Sequence, residues 1–131
     1  MKSKALMFRE EFEKPGLLLR PCGYDPLTAK LIQQAGFRVM GTSGYAVSAV
    51  TIGEPDLGLL SFGGMFDQCR RIINSVGIPV DVDADTGYGN AENTYWTVRK
   101  LAEVGAGAVR IEDQTWPKRC GHMEGKKVID I

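Results

Sequence analysis

An alternation of short apolar runs with longer amphipathic segments most constrains what this chain can fold into. The apolar runs predict four strands, at Gly16–Leu19, Phe37–Met40, Ile78–Asp83 and Ala108–Ile111. The amphipathic segments predict helices at Met1–Lys14, from Asp25 to Gly36, from about Gly63 to Val76 and at Ala91–Val104. Short strands separated by helices are typical of an α/β fold with a parallel sheet and right-handed crossovers.

Local signals support these helices. Asp25 is a predicted N-cap, Pro26 the first helical residue, and Gly36 the residue that ends the helix. Apolar side chains recur at helical spacing and predict the faces that contact the core. They are Leu27, Leu31 and Ile32 in that helix, Met65, Phe66, Cys69, Ile72 and Ile73 in the next, and Trp96 and Leu101 in the last.

Four parallel strands can form a small open sheet or half of an eight-stranded barrel. Polar residues cluster after the ends of the predicted strands, where both folds have their active sites. A chain of 131 residues is long enough to bury a core of its own. We favour one α/β domain over residues 1–131 that forms the N-terminal half of a (β/α)₈ barrel, for reasons that depend on the motifs below.

Composition excludes several classes of partner. Lys plus Arg and Asp plus Glu number 16 each, so the net charge is zero and gives no reason to expect nucleic acid or an anionic membrane surface. No apolar run approaches the roughly 20 residues of a membrane span, and the N-terminal segment lacks the apolar stretch of a signal peptide. Three widely spaced cysteines without a C-x-x-C pair favour a reduced, cytoplasmic setting.

Two carboxylates end the third predicted strand. Asp83 and Asp85 are two residues apart, so on a strand both side chains project to the same side. Glu112, after the fourth strand, can add a third carboxylate, and such a set suits Mg²⁺. The alternative is an acidic turn without a ligand. Asp81 has the same parity and would point inward, where an unpaired carboxylate is costly, and the sequence offers it no partner.

Cys120 lies in the segment Pro117-Lys118-Arg119-Cys120-Gly121-His122. Neighbouring cations favour a lowered thiol pKa, and the glycines at 121 and 125 allow the segment to move as a lid that delivers a proton donor. A solvated basic loop is the plain alternative. Zinc binding by Cys120 and His122 is disfavoured because His122 is the only histidine.

Small residues follow the second predicted strand at Thr42-Ser43-Gly44-Tyr45. Backbone N–H groups there suit a substrate carboxylate, although small residues after a strand also occur for steric reasons.

Three motifs together resemble the isocitrate lyase/phosphoenolpyruvate mutase superfamily. They are Val82-Asp83-Ala84-Asp85-Thr86-Gly87-Tyr88-Gly89-Asn90, Ile111-Glu112-Asp113-Gln114 and Lys118-Arg119-Cys120-Gly121-His122. Their order and spacing agree with the family over nearly the whole chain. The last motif is similar to the lyase branch, which includes methylisocitrate and dimethylmalate lyases, the petal death protein and proteins labelled carboxyvinyl-carboxyphosphonate phosphorylmutase.

The resemblance implies a (β/α)₈ barrel, usually in a homotetramer with a swapped C-terminal helix, and a small carboxylate substrate. It implies Mg²⁺, or Mn²⁺, as the cofactor and a retro-aldol lyase reaction with Cys120 as the acid/base residue. The implied metal ligands are Asp83, Asp85, Glu112 and Asp56, and the implied substrate-binding residues are Ser43, Gly44, Tyr45, Arg119, Gly121 and His122. Phosphonate P–C chemistry and oxaloacetate decarboxylation are alternatives on the same scaffold.

The sequence departs from the family pattern in three respects. Arg110 stands where the family often has His, and Asp81 stands at a position that is usually apolar. Family members are also about twice as long as this chain, so the later strands and the swapped helix lie outside it. A truncated fragment without activity is therefore a further hypothesis.

Overall fold

The computed structural model describes residues 2–130, among which four strands and five helices are formed. Met1, assigned to the first helix on sequence grounds, lies outside the described residues. In chain order the elements are α1 Lys4–Phe12, β1 Cys22–Gly23, α2 Pro26–Gln34, β2 Met40–Thr42, α3 Gly44–Ile52, α4 Phe62–Ser75, β3 Val80–Asp83, α5 Ala91–Glu103 and β4 Ala108–Arg110. Among the described residues, none of these helices has the length and apolar character needed to cross a bilayer.

The four strands form one parallel sheet in the order β1-β2-β3-β4. Its register aligns Gly41 of β2 with Asp81 of β3, and Asp81 with Ala108 of β4. Right-handed crossovers that always step in the same direction put their helices on one face of the sheet. This is the arrangement of a barrel wall, whereas a doubly wound sheet reverses its strand order. The predicted parallel α/β architecture is confirmed.

The core lies between the helices and one face of the sheet. The side chains that form it from α4 are Met65, Cys69, Ile72 and Ile73, and they pack against Met40, Val80 and Val82 of the strands. The predicted core face of α4 is confirmed, with Phe66 partly buried beside it. Because side chains alternate along a strand, Asp81 and Asp83 lie on the opposite face of β3.

Two predicted strands are displaced. Gly16–Leu19 is not a strand, and Leu17 and Leu19 are 87% and 61% exposed. The first strand is Cys22–Gly23, whose register with Gly41–Thr42 places Gly23 against the Met40 side chain, so that an added Cβ would lie 2.8 Å from the Met40 Cε. The second strand begins at Met40 rather than Phe37, because the ladder starts where the Met40 N–H donates to the Pro79 carbonyl at 3.1 Å.

The stretch of small residues from Gly41 to Ser48, to which the sequence assigned no helix or strand, contains most of helix α3. Ser43 is its N-cap, and Val47 and Ser48 are buried against the rest of the molecule. The hydroxyl of Ser48 donates to the Glu54 carbonyl at 3.0 Å, which ties the end of this helix to the segment that contains Asp56. Tertiary packing outweighs the modest helix propensity of these residues.

Helix ends follow the local signals more closely than helix faces do. Asp25 and Asn90 both cap their helices with reciprocal side-chain bonds. The predicted faces of α2 and α5 are partly wrong, since the side chains of Leu27, Leu31 and Trp96 are 66%, 55% and 50% exposed. The residues that contact the core are Ala29 and Ile32 in α2 and Thr97 and Leu101 in α5, because these lie on the side that faces α4 and the sheet.

Candidate active site

The end of β3 carries two of the predicted metal ligands. The backbone N–H of Asp83 donates to the Thr42 hydroxyl at 2.9 Å, and its Oδ2 accepts from the Gly44 N–H at 3.0 Å. Asp85 has a φ of 48°, in the left-handed region, which costs on the order of 1–3 kcal/mol for a non-glycine residue and is typical of functional sites. Burial raises the pKa of Asp85, and the nearby charges of Asp56 and Asp83 act in the same direction.

Three carboxylates converge beside Gly44, at the start of α3. A Cβ atom at Gly44 would lie 3.2 Å from Oδ1 of Asp85, 3.4 Å from Oδ2 of Asp83 and 3.5 Å from Oδ2 of Asp56. A glycine at this position therefore leaves room for the carboxylates and for whatever they bind. Asp83 and Asp85 come from the end of β3 and Asp56 from the loop after α3, as expected for the carboxyl edge of a parallel sheet.

Lys118 is a residue of this cluster that the sequence analysis did not place there. Its side chain is fully buried, and its Nζ lies 2.7 Å and 2.8 Å from the two carboxylate oxygens of Asp56 and 2.5 Å from Oδ1 of Asp85. Burial lowers the pKa of Lys118, but the bonds to both carboxylates outweigh burial and raise it above its usual value. The only signal in the sequence was its place beside Arg119 and Cys120 in the basic segment.

Glu112 borders this cluster. Its backbone N–H donates to the Asp85 carbonyl at 2.7 Å, and its side chain accepts a bond from the Gln114 amide at 2.5 Å. Burial raises the pKa of Glu112, and the charge of Lys118 opposes that effect. Glu112 is thus adjacent to the other carboxylates but is held by Gln114 rather than by Lys118.

The segment around Cys120 lies against the carboxylates. The Cys120 N–H donates to the Asp56 carbonyl at 3.1 Å, and its Sγ lies 3.5 Å from Nδ1 of His122. Gln114 also holds this segment, since its amide donates to the Arg119 carbonyl at 2.9 Å and its oxygen accepts from the Arg119 N–H at 3.1 Å. Cys120 is 7% exposed, whereas Arg119, Gly121 and His122 are exposed.

The predicted substrate-binding residues after β2 divide into two groups. Gly44 is buried beside the carboxylates, and its N–H already donates to Asp83. Ser43 caps α3 by accepting from the Ala46 N–H at 3.5 Å, and Tyr45 is 56% exposed. Their role in binding a substrate carboxylate stays a prediction.

Asp81 has partners that the sequence did not identify. Its Oδ2 lies 2.6 Å from Nη1 of Arg20 and 3.4 Å from Nε of Arg110. Arg110 also donates to the Thr42 carbonyl at 3.0 Å and lies 3.7 Å from Oδ2 of Asp83. The two departures from the family pattern, Asp81 and Arg110, therefore form one ion pair on the face of the sheet that lies opposite the core.

The possible ligands for a divalent cation at this site are carboxylates. Within residues 2–130, no three Asp, Glu, His or Cys side chains are grouped closely enough to hold a metal ion. The chemistry nevertheless fits, because carboxylate oxygens are the ligands that Mg²⁺ prefers and a cation, the Lys118 ammonium, already lies between Asp56 and Asp85. In addition, Oδ1 of Asp85 is buried, and the Lys118 ammonium is its ionic contact in the described part of the chain.

The chain is similar to known proteins in sequence and in fold. The family described as phosphoenolpyruvate phosphomutase matches residues 8–131. A carboxyvinyl-carboxyphosphonate phosphorylmutase of Arabidopsis thaliana is 47% identical over 123 residues, which is 93% of this chain and 36% of that protein.

Solved structures are also similar to this chain, among them the following two. A 2,3-dimethylmalate lyase of the PEP mutase/isocitrate lyase superfamily superposes with a TM-score of 0.89 at 36% identity, over 99% of this chain and 44% of that one. A phosphonopyruvate hydrolase in complex with oxalate and Mg²⁺ has a TM-score of 0.83 at 36% identity, over 89% and 41% of the two chains. The chain thus spans less than half the length of these proteins. The structural neighbours are (β/α)₈ barrels of this superfamily, which confirms the resemblance and the barrel-type fold.

Proposed function

The chain belongs to the phosphoenolpyruvate phosphomutase family, and from this premise we propose that it supplies the metal site and acid loop of a carbon–carbon lyase. The superfamily includes both lyases and mutases. The proposed substrate is a 2-hydroxy di- or tricarboxylate of the 2-alkylmalate or methylisocitrate type, and the products are a 2-oxo acid and a carboxylic acid. The proposed cofactor is Mg²⁺, for which Mn²⁺ can substitute.

The observation that carries this proposal is the position of Cys120 relative to the carboxylates. Asp56 contributes a carboxylate to the cluster beside Gly44, and its backbone carbonyl accepts the hydrogen bond of Cys120. A thiol proton donor and a set of hard oxygen ligands are therefore joined through one residue. This is the combination that cleavage of a carbon–carbon bond next to an oxygenated carbon requires.

In this mechanism Asp83, Asp85, Asp56 and Glu112 hold the ion. When bound, Mg²⁺ supplies Lewis-acid stabilisation of the negative charge that develops on the 2-oxygen of the substrate. The 2-hydroxyl group loses its proton to water before the loop closes. Cleavage of the carbon–carbon bond of the resulting 2-alkoxide leaves the 2-oxo acid, and the electron pair of that bond remains on the other fragment as an enediolate. The thiol of Cys120 gives its proton to the enediolate carbon that was part of the broken bond, after the loop has excluded water.

The remaining parts of the proposal concern binding and assembly. Ser43, Gly44 and Tyr45 bind a substrate carboxylate, and Arg119, Gly121 and His122 contact the substrate when the loop closes. The active assembly is a homotetramer in the cytoplasm. This chain covers 36% to 44% of the similar proteins above, and the contacts that select the alkyl group are proposed to lie outside the matched segment.

Cleavage assays test the proposal directly. The 131-residue chain, incubated with Mg²⁺ and 2-methylisocitrate or 2,3-dimethylmalate, is expected to release a 2-oxo acid, measured by coupled reduction with lactate dehydrogenase. Replacing the acid, Cys120→Ala, should lower the rate by roughly 10²–10⁴-fold, the usual contribution of a general acid. The matched control is Cys22→Ala, which changes an exposed thiol. Equal rates for the two variants would eliminate the role assigned to Cys120.

Phosphonate chemistry at the same site is the second candidate. It is supported by the similarity to the Arabidopsis carboxyvinyl-carboxyphosphonate phosphorylmutase. Phosphorus NMR with phosphonopyruvate would detect rearrangement or cleavage of a P–C bond. The Cys120→Ala variant should retain that activity, because this chemistry does not need a thiol proton donor.

An inactive fragment is the alternative of a different class. Strands β1 and β4 are the two edges of the sheet, and unpaired edges favour association. Size-exclusion chromatography with and without Mg²⁺ separates the alternatives. A monodisperse species that is active would exclude the inactive fragment, and an aggregate without activity would support it.

A further inference from the structure

Lys118 differs from the other lysines of the segment in its complete burial. Lysine is almost never fully buried unless its charge is paired. The pairing here is with two carboxylates at once, Asp56 and Asp85, whose side chains are only 10% and 6% exposed. Solvent therefore does little to compensate these charges, and the ammonium is the main cation that neutralises them.

The Lys118 ammonium contacts the same carboxylate oxygens of Asp56 and Asp85 that face Gly44. Oδ2 of Asp56 lies 2.8 Å from Nζ of Lys118 and 3.5 Å from the Cβ position of Gly44. Oδ1 of Asp85 lies 2.5 Å from the same Nζ and 3.2 Å from the same Cβ position. A divalent cation held by these two oxygens would be in van der Waals contact with the ammonium. The two cations repel each other strongly at that distance in a buried site, so the carboxylates can hold one or the other.

Lys118 also links the competition between the two cations to the position of the loop that contains Cys120. Two residues beyond it, Cys120 is tied to the same acidic residue by its bond to the Asp56 carbonyl at 3.1 Å. A further tie of the loop is the pair of bonds between Gln114 and the backbone of Arg119. Removing the ammonium from Asp56 and Asp85 takes away the only ionic contact among these ties.

We propose that Lys118 is an internal competitor of the metal ion and a latch for the Cys120 loop. A divalent cation that binds Asp56 and Asp85 displaces the ammonium, and this releases the loop so that Cys120 can take up the position needed for a substrate. The loop is thereby kept shut over the carboxylates until the cation is bound. This inference rests on the proposed metal site, and the experiment below separates the failure of one from the failure of the other.

Calorimetric titration of the 131-residue chain with Mg²⁺ measures the competition. Lys118→Met removes the ammonium and keeps most of the side-chain volume, so the Kd for Mg²⁺ should fall on the order of tenfold, a typical coupling between two linked events. Lys118→Arg keeps the cation and should bind Mg²⁺ no more tightly than the wild type. The matched control is Lys127→Met, which removes the same charge from an exposed position of the same segment and should leave the Kd unchanged.

Thiol alkylation measures the release of the loop without any enzymatic assay. Iodoacetamide labelling of the wild type, followed by peptide mass spectrometry, gives separate rates for the three cysteines. Mg²⁺ should accelerate labelling of Cys120 severalfold, because its side chain is buried while the latch is closed. Exposed Cys22 and deeply buried Cys69 are internal references whose rates should not change.

The outcomes are distinct. Equal affinity of the wild type and Lys118→Met for Mg²⁺, or an unchanged Cys120 rate when Mg²⁺ binds, would overturn the latch and leave the proposed lyase site standing. Absence of Mg²⁺ binding by both proteins would overturn the latch together with the proposed metal site. Tighter binding by Lys118→Met alone, with faster labelling of Cys120 in the wild type, is the result that supports it.

Discussion

Replacement of Lys118 by methionine should be among the most destabilising single changes in this chain when no divalent cation is added. The substitution leaves Asp56 and Asp85 buried without their counter-ion, since their side chains are 10% and 6% exposed. Removing one partner of a buried ion pair costs about 3–5 kcal/mol, because the remaining charge stays desolvated. Native domains are stable by only about 5–15 kcal/mol, so this loss is a large fraction of the total.

Urea unfolding followed by circular dichroism gives the free energy of unfolding of each variant. The double variant Lys118→Met/Asp85→Asn should recover part of the loss, because only one buried carboxylate then lacks a counter-ion. Together with the single variant Asp85→Asn, the double-mutant cycle gives the coupling energy of the pair. Lys127→Met is the control and should change stability by less than about 0.5 kcal/mol, as is usual for an exposed position. A loss for Lys118→Met no larger than that of the control would refute the account of the buried pair.

The remaining predictions concern Gly44, Asp81 and Cys69. Gly44→Ala should weaken Mg²⁺ binding at least about tenfold in calorimetry, because its Cβ would lie 3.2–3.5 Å from three carboxylate oxygens. The melting temperature should stay nearly unchanged. The control is Gly63→Ala, which has only Ser61 nearby and should bind Mg²⁺ as the wild type does. Asp81→Ala should lower the free energy of unfolding by about 1–3 kcal/mol. This loss is smaller than that of Lys118→Met, because the side chains of its partners Arg20 and Arg110 are 26% and 45% exposed to solvent. A loss in urea unfolding larger than that of Lys118→Met would contradict this ranking. Burial raises the pKa of Cys69 to about 12, so the thiol is favoured in the folded state, and its contribution to stability should be fully present below about pH 9 and lost as the pH rises toward 12. Unfolding measured across that range should show a steeper decline for the wild type than for Cys69→Ala, and parallel curves would disprove the assignment.

Much of the fold could be predicted from the sequence because the relevant interactions are local. Asp25 and Asn90 cap their helices with bonds to residues three positions away, so the signal lies within one turn. The apolar face of α4 recurs at helical spacing, and the buried residues Met65, Cys69 and Ile72 follow it. The predicted order of strands and helices also restricted the sheet to parallel pairing.

The boundaries and faces that failed depend on contacts between distant segments. Leu17 and Leu19 have the composition of a buried strand, but β1 forms at Cys22–Gly23, where the register with β2 and the space under Met40 allow pairing. Leu27 and Trp96 occupy helical positions that the neighbouring elements do not cover. No local pattern reveals which side of a helix will meet α4 or the sheet.

The same division applies to the site. By itself, the sequence determined that Asp83 ends a strand with Asp85 two residues further on, and that Cys120 lies in a glycine-containing basic segment, because these statements involve only neighbouring residues. The tertiary structure decided that Lys118 lies between Asp56 and Asp85, although Lys118 and Asp56 are 62 positions apart in sequence. It also decided that Asp81 is neutralised by Arg20, which precedes β1, and by Arg110 in β4. An ion pair in a buried site depends on where the chain brings opposite charges together and excludes water, and no short stretch of sequence records that.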